Sequence, residues 1–97
     1  MKPIKRVEIV VGQHELEPVI EALEAVGVDG WTVVRNVGGK GERGLRSENE
    51  LTDVFRNAYV VIACAAEKVP GVVEAVRPFL RRFGGMCLVS DAHWVIH

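Results

Sequence analysis

The feature that most limits the fold of this chain is an apolar run, AYVVIACAA, from Ala58 to Ala66. A run of strand length and β-prone composition, with no charged residue on either face, is typical of a strand buried on both faces. Such a strand needs a neighbour on each side, because its buried backbone N–H and C=O groups require partners. The run therefore predicts a central strand around which the other elements are arranged.

Three further segments are rich in β-prone residues. The runs from Arg6 to Val11 and from Trp31 to Val37 predict the first and second strands, and Met86 to Ser90 predicts the last. Residues Ala92 to His97 form an additional β-prone tail. With the apolar run as the third strand in chain order, the sequence predicts four strands.

Two segments show helical spacing of apolar residues. The first carries Leu16, Val19, Ile20, Leu23 and Val26, and the second carries Val69, Val72, Val73, Val76, Leu80 and Phe83. Pro18 is compatible with the first helix only in its opening turn, Pro70 lies near the start of the second, and Pro78 predicts a bend. Gly27 and the Gly84–Gly85 pair predict where the two helices end.

The resulting order is β-α-β-β-α-β over residues 1–97, which we interpret as one domain. It predicts the α+β, ferredoxin-like fold: a four-stranded antiparallel sheet with two helices on one face. In the first and third strands, apolar residues occur at both odd and even positions and so on both faces of the sheet; they include Val10, Val60, Ile62 and Cys64. We therefore expect the uncovered face of the sheet to pack against other copies in a homo-oligomer.

Composition and charge exclude several classes of function. The formal net charge is −1, so no basic stripe predicts nucleic-acid binding, and no apolar run is long enough for a signal peptide or a membrane span. The interpretation is a cytoplasmic protein. The row Ser90, Asp91 and His93 does not form a triad, since neighbours on one strand point to opposite faces, and no spacing of ligands predicts a metal site.

The longest connection lies between the second and third strands, from Gly38 to Arg56. It contains four glycines and eight charged side chains, and connections of this length are usually functional or disordered. Its start, Gly38-Gly39-Lys40-Gly41, allows backbone amides to approach an anion, with Lys40, Arg43 and Arg46 supplying positive charge. A solvated flexible loop is the open alternative. Further along, Glu48, Glu50, Leu51, Asp53 and Val54 predict a helical turn.

Two stretches resemble the PII signalling superfamily. EALEAVGVDGWTVVRNVGGKG, from Glu21 to Gly41, is similar to the family's first helix, its G-x-T-V strand and the glycine-rich start of its T-loop. FGGMCLVSDA, from Phe83 to Ala92, resembles the end of the second helix, a shortened B-loop and the last strand. The strand order and the long loop at about 38–56 agree with the same family.

The resemblance implies a non-enzymatic homotrimer that binds an adenine nucleotide in clefts between subunits. Matching by position, Thr32 would hold the adenine side, Gly38, Gly39, Lys40 and Gly41 would form the T-loop base, and Gly84 with Gly85 would end the B-loop. Arg56, at the return of the loop, would be a further phosphate ligand. Binding would reorder the T-loop and so change the surface that the loop presents to a partner protein, either a transporter or an enzyme.

This sequence lacks some residues of the family pattern, and these differences change which ligands we expect. The lysine after the first strand is replaced around Gly12-Gln13-His14, and the B-loop lacks its usual length and lysine. Fewer cations favour ADP or AMP over ATP. The chain is therefore most similar to the divergent carboxysome- and bicarbonate-transporter-associated members, which makes bicarbonate a second expected ligand. No cofactor is expected beyond these ligands.

Two other proteins with this architecture remain as alternatives. A CutA-like trimer would bind a divalent metal, provided that folding gathers Cys64, Cys87 and His93. An RNA-binding domain would need stacking aromatics on the first and third strands, where only Tyr59 is suitable.

The loop assignment gives a first prediction. Replacing Lys40 and Arg56 with alanine should weaken nucleotide binding, because it removes positive charge next to the phosphates, and should leave the domain folded. Calorimetric titration with ADP, accompanied by thermal unfolding, measures both effects. Unchanged affinity in both variants would remove the loop from the site.

Overall fold

A computed structural model describes residues 1–41, 44–45 and 56–97. The strands are β1 (Lys2–Gly12), β2 (Thr32–Val37), β3 (Lys40–Gly41), β4 (Gly44–Leu45), β5 (Asn57–Cys64) and β6 (Met86–Trp94), and the helices are α1 (Leu16–Ala25) and α2 (Val69–Phe83). Short 3₁₀ turns at Gln13–Glu15 and Ala66–Lys68 lead into the two helices. Within the described residues, no helix is long and apolar enough to cross a membrane.

The main sheet has the order β2-β5-β1-β6, and every neighbouring pair is antiparallel. At its centre Ile9 of β1 lies opposite Val60 of β5 on one side and Cys87 of β6 on the other. β5 is flanked by β1 and β2, as expected for a central strand. The predicted four-stranded antiparallel sheet is confirmed.

Both helices pack against one face of this sheet. β1 contributes Val7, Ile9 and Val11 to the core, each at most 1% exposed. The fully buried helix residues are Leu16, Val19, Leu23, Val72 and Val76. Burying each aliphatic side chain of this kind contributes about 1.5–3 kcal/mol to folding. The predicted ferredoxin-like arrangement, with two helices on one face, follows from this alternation.

The helices begin near the residues that the sequence indicates. Pro18 lies in the first turn of α1, and Pro70 is the second residue of α2, where a missing N–H is tolerated. Gly27 follows α1 with φ of 94°, which is typical of a glycine that ends a helix. α2 continues through Pro78 to Phe83.

The other face of the sheet differs from the prediction. Val60 and Ile62 are buried, whereas the alternate residues Tyr59 and Val61 are half-buried and Ala63 is exposed. Burial of this strand on both faces is therefore wrong for the single chain, because both helices lie on one side. By the same alternation Val60, Ile62 and Cys64 all belong to the helix-facing side.

The uncovered face combines exposed apolar side chains with one polar cluster. Val34, Met86 and Leu88 are 48%, 41% and 52% exposed. Beside them the Tyr59 hydroxyl donates a 2.6 Å hydrogen bond to Glu8 Oε1. This bond raises the pKa of Tyr59, because the phenol is held as a donor to a carboxylate.

The strand boundaries also differ at the termini. β1 begins at Lys2 rather than Arg6, and β6 runs without a break to Trp94. The two extensions pair with each other, with Lys2 opposite Trp94. Mutual pairing therefore lengthens both strands beyond what their separate β propensities indicate.

Gly85 is required by the packing of the chain itself. Its φ is 116°, and a Cβ at this position would lie 2.2 Å from the carbonyl oxygen of Val10. Neither the backbone angle nor the space accommodates another residue. Gly39 provides the contrast, since a Cβ there would have no described atom within 4 Å.

We expect Gly85→Ala to destabilise the fold by about 2 kcal/mol or more, through backbone strain and the clash with β1. Gly39→Ala is the matched control, with an expected change below about 0.5 kcal/mol. Urea unfolding followed by circular dichroism measures both values. Equal stabilities of the two variants would contradict the steric role of Gly85.

Candidate functional site

The two stems of the long loop meet at one end of the sheet. Val37, the last residue of β2, lies opposite Asn57, the first residue of β5. Gly38 and Gly39 come directly after Val37, and they are followed by β3 and β4, which pair with each other antiparallel. The antiparallel pairing of β2 with β5 thus places the glycine-rich start of the loop beside its return at Arg56.

Gln13 joins these stems to the end of β1. Its backbone N–H donates to the Arg56 carbonyl oxygen at 2.8 Å, and its side-chain Oε1 accepts from the backbone N–H of Asn36 at 3.0 Å. Asn36 has a positive φ of 60° at an irregularity in the β2–β5 pairing. One side chain therefore holds the turn out of β2 in place.

Gln13 was missed as a site residue by the sequence interpretation. A lone glutamine after a strand has no distinctive pattern, and its role depends on strand order. Only the pairing of β1 with β5 brings it next to Arg56.

Gly84 and Gly85 lie at the same end of the sheet, on its far side. β6 starts at Met86, which pairs with Val10 near the end of β1. From β6 to β2 there are three strand spacings, about 14 Å at roughly 4.8 Å each. The structure thus places this glycine pair at the loop-bearing end of the sheet but at the opposite edge from Gly38.

Gly38 and Gly39, like Gly30, are not required by the described part of the chain. Neither has a left-handed φ, and a Cβ at either would meet no described atom within 4 Å. Gly85, by contrast, is explained by its contact with Val10. The glycines at the loop base therefore leave open space beside an exposed backbone, which is the arrangement that anion-binding loops use.

Thr32 lies at the other end of β2. It pairs with Val61, whereas Val37 pairs with Asn57. Five residue steps separate Thr32 from Val37, about 17 Å at roughly 3.3 Å per residue. Within one chain Thr32 is therefore not brought together with the loop base, Arg56 or the Gly84–Gly85 pair.

Parts of the predicted site fall outside the described residues. For Lys40 and Gly41 the backbone is described, as strand β3. Arg43, Arg46 and the predicted helical turn with Glu48, Glu50 and Asp53 lie outside the described residues.

Asn57 is a second residue that the sequence interpretation missed. It is 5% exposed, and its Oδ1 has no hydrogen-bond partner among the described residues. Asparagine is usually a surface or turn residue, so no local pattern indicates a buried one. Its position as the first residue of β5 places it directly after Arg56.

A surface groove lies at the opposite end of the sheet and contains none of the predicted site residues. Its lining includes the start of β1, the turn after β5 and the end of β6. The Lys5 ammonium donates to Asp91 Oδ1 there and lowers the pKa of Asp91. Because Asp91 is held as the ionised partner of a lysine, it is not a poised base.

The same strands separate the groups that a triad or a metal site would need. Ser90 Oγ accepts from Arg6 Nε at 3.2 Å, whereas Asp91 pairs with Lys5 on the other face. Six residue steps, about 20 Å, lie between Cys87 and His93 on β6. The described residues contain no cluster of three or more His, Cys, Asp or Glu that could hold a metal ion. The single chain therefore does not bring Cys64, Cys87 and His93 together, as a CutA-like metal site would require.

Known structures share this architecture over nearly the whole chain. CPII, a nitrogen regulatory PII-like protein from Thiomonas intermedia K12, bound to ADP, AMP and bicarbonate, superposes with a TM-score of 0.83 at 27% identity, covering 95% of this chain and 88% of that one. The same protein bound to ADP, AMP and acetate gives a TM-score of 0.83 at 26% identity, covering 98% and 91%.

A more distant structure agrees in fold. A protein from Thermus thermophilus, described as PII-like, gives a TM-score of 0.77 at 20% identity and covers 97% of this chain and 91% of that one. Curated proteins give no match.

The family relationship follows from the sequence match as well as from the fold. The model of the family described as Nitrogen regulatory protein P-II matches residues 4–96. This range contains all four strands of the main sheet except the first two residues of β1, both helices and the loop between β2 and β5. The chain therefore belongs to the P-II family of regulatory proteins.

Proposed function

We propose that this protein is a non-enzymatic sensor of adenine nucleotide and bicarbonate, acting as a homotrimer with a ligand-responsive T-loop at about 38–56. ADP or AMP is the favoured nucleotide, and ATP is a weaker alternative. The ligands reorder the loop and so control a partner protein, a transporter or an enzyme, in inorganic-carbon or related metabolism. The observation that carries the proposal is the pair of glycines at the loop base, Gly38 and Gly39, beside whose backbone no described atom would contact a Cβ.

The loop base supplies the phosphate side of the proposed site. Backbone amides of Gly38 to Gly41 approach the phosphates, and Lys40 and Arg56 neutralise part of their charge. Gln13 supports this arrangement, because its two hydrogen bonds hold the stem residues Asn36 and Arg56. Because the family's lysines after the first strand and in the B-loop are missing here, a diphosphate or monophosphate is matched better than a triphosphate.

The adenine side comes from a second copy in this proposal. Thr32 is about 17 Å from Val37 along β2, farther than one base can reach from its own phosphates at the loop. Thr32 of a neighbouring subunit can face the loop base if the subunits pack through their sheets. Gly84 and Gly85 then line the far side of the same cleft.

The uncovered sheet face is the proposed contact between subunits. Its exposed apolar residues Val34, Met86 and Leu88 would be removed from water there. The hydrogen bond from Tyr59 to Glu8 keeps the carboxylate paired on that face, which lowers the cost of burying it. A trimer of sheets would thus cover the surface that the two helices leave open.

Bicarbonate is proposed as the second ligand because CPII binds it together with ADP and AMP. A small oxyanion suits backbone amides as well as a phosphate does. If both ligands stabilise one loop conformation, each must increase the affinity of the other by the same factor. This reciprocity distinguishes a sensor from a protein with two independent sites.

The function is tested by calorimetric titration of ADP, AMP and ATP, each with and without bicarbonate. We expect saturation near one nucleotide per subunit, tighter binding of ADP or AMP than of ATP, and at least a fivefold gain in affinity with bicarbonate. Sodium nitrate at equal ionic strength is the control for salt. Absence of heat and of any thermal shift with all three nucleotides would refute the nucleotide sensor.

The shared site predicts complementation between two defective variants. Thr32→Val lacks the adenine contact, and the Lys40→Ala/Arg56→Ala double variant lacks the phosphate contact, so each alone should bind ADP at least tenfold more weakly. After subunit exchange, mixed trimers contain clefts built from two intact halves, and tight sites should reappear. A mixture that binds no better than its two components would place both halves of the site in one chain.

A further inference from the structure

The buried amide of Asn57 carries an inference about how bicarbonate is selected. The residue is 5% exposed, and Oδ1 accepts no hydrogen bond from any described residue. A buried acceptor without a partner lowers stability, since it has lost its hydrogen bonds to water. Such a group in a native fold is a reason to look for a donor beyond the described residues, and a bound ligand is one source of it.

The position of Asn57 restricts where that donor lies. On the β1 side it pairs with Gly12, which has no side chain, and on the β2 side with Val37. Val37 is followed by Gly38 and Gly39, where the described chain leaves open space. The unpartnered oxygen therefore belongs to the stem on which the proposed anion site is built.

The chemistry of the two groups limits the ligand. The backbone amides of Gly38 to Gly41 are donors that can be divided between the nucleotide phosphates and a second, small anion, and those of Gly38 and Gly39 follow directly on Val37, the partner of Asn57. Oδ1 is an acceptor and repels an oxygen that carries no hydrogen. Phosphate oxygens of an ionised nucleotide, nitrate and acetate all lack the O–H group that would satisfy it, whereas bicarbonate is a small anion with one O–H.

We propose that Asn57 is the residue that selects bicarbonate, with Oδ1 accepting the hydrogen bond from the bicarbonate hydroxyl while the loop amides bind its other oxygens. This rests on the proposed function and adds the residue that distinguishes bicarbonate from other monovalent anions. Nitrate is the closest matched probe, because it is also planar and carries one negative charge but has no hydrogen to donate. Acetate is the second probe, since CPII holds acetate together with ADP and AMP.

The experiment compares wild type with Asn57→Val, which keeps strand propensity and removes the amide. In the presence of ADP, wild type should bind bicarbonate at least tenfold more tightly than nitrate or acetate, and the variant should bind all three alike. ADP affinity without added anion should be equal in the two proteins. The ligand-free variant should melt at the same temperature as wild type or higher, because an unsatisfied buried acceptor is gone.

The outcomes separate this inference from the function on which it rests. A variant that keeps the preference for bicarbonate overturns the role of Asn57 and leaves the sensor intact. A variant that loses ADP affinity without added anion also overturns it, because the amide then serves the nucleotide. Wild type that binds ADP and ignores bicarbonate refutes bicarbonate as a ligand, and wild type that binds neither refutes the sensor.

A second measurement on wild type applies even if the variant does not fold. The side-chain carbonyl ¹³C resonance of Asn57 should shift when bicarbonate is added to the ADP complex, because a new hydrogen bond forms at Oδ1. Nitrate should leave this resonance unchanged. Equal shifts with both anions, or no shift with bicarbonate, would contradict the proposal.

Discussion

The arrangement of this protein depends on the antiparallel pairing of β1 with two strands at once. Its register with β5 brings Gly12 beside Asn57, and its register with β6 brings Val10 beside Met86. Three chain segments that are far apart in sequence therefore lie at the same end of one sheet. This pairing puts the loop base beside its return strand and puts the Gly84–Gly85 turn at the same end of the sheet, on its opposite edge.

Gly85 differs from Gly38 and Gly39 in why a glycine stands at its position. Gly85 fills a position where the backbone angle and the Val10 carbonyl exclude a side chain. Gly38 and Gly39 meet no such restriction in the described chain. At the loop base, the space beside these two glycines is free of described atoms, which suits the close approach of a ligand to the backbone. This distinction supports an anion site at the loop base more directly than the glycine-rich sequence does.

Most of the fold was predictable because its signals are local. The spacing of Leu16, Val19 and Leu23 indicates a helix by itself, and the run from Ala58 to Ala66 indicates a strand. In the single chain β5 is buried on one face only, and the sequence does not show this, because an apolar residue such as Val61 looks the same whether a helix or another subunit covers it.

Much less of the candidate site was predictable. Arg56 and the loop glycines are visible in the sequence, and their meeting follows from strand order. Gln13 and Asn57 acquire their roles only from long-range register, since neither a glutamine after a strand nor an asparagine at the start of one has a distinctive pattern. Thr32 differs from these residues, because the sequence indicates it as a site residue but one chain does not place it near the loop base. Its expected role requires a second subunit, and the position of that subunit cannot be read from the sequence.

Native mass spectrometry with ADP tests the central claim, a nucleotide site shared between subunits, most directly. The account predicts a trimer that takes up as many as three ADP molecules, with no nucleotide on any monomer released by dilution. A monomer that retains ADP, or a trimer that binds none, would contradict it.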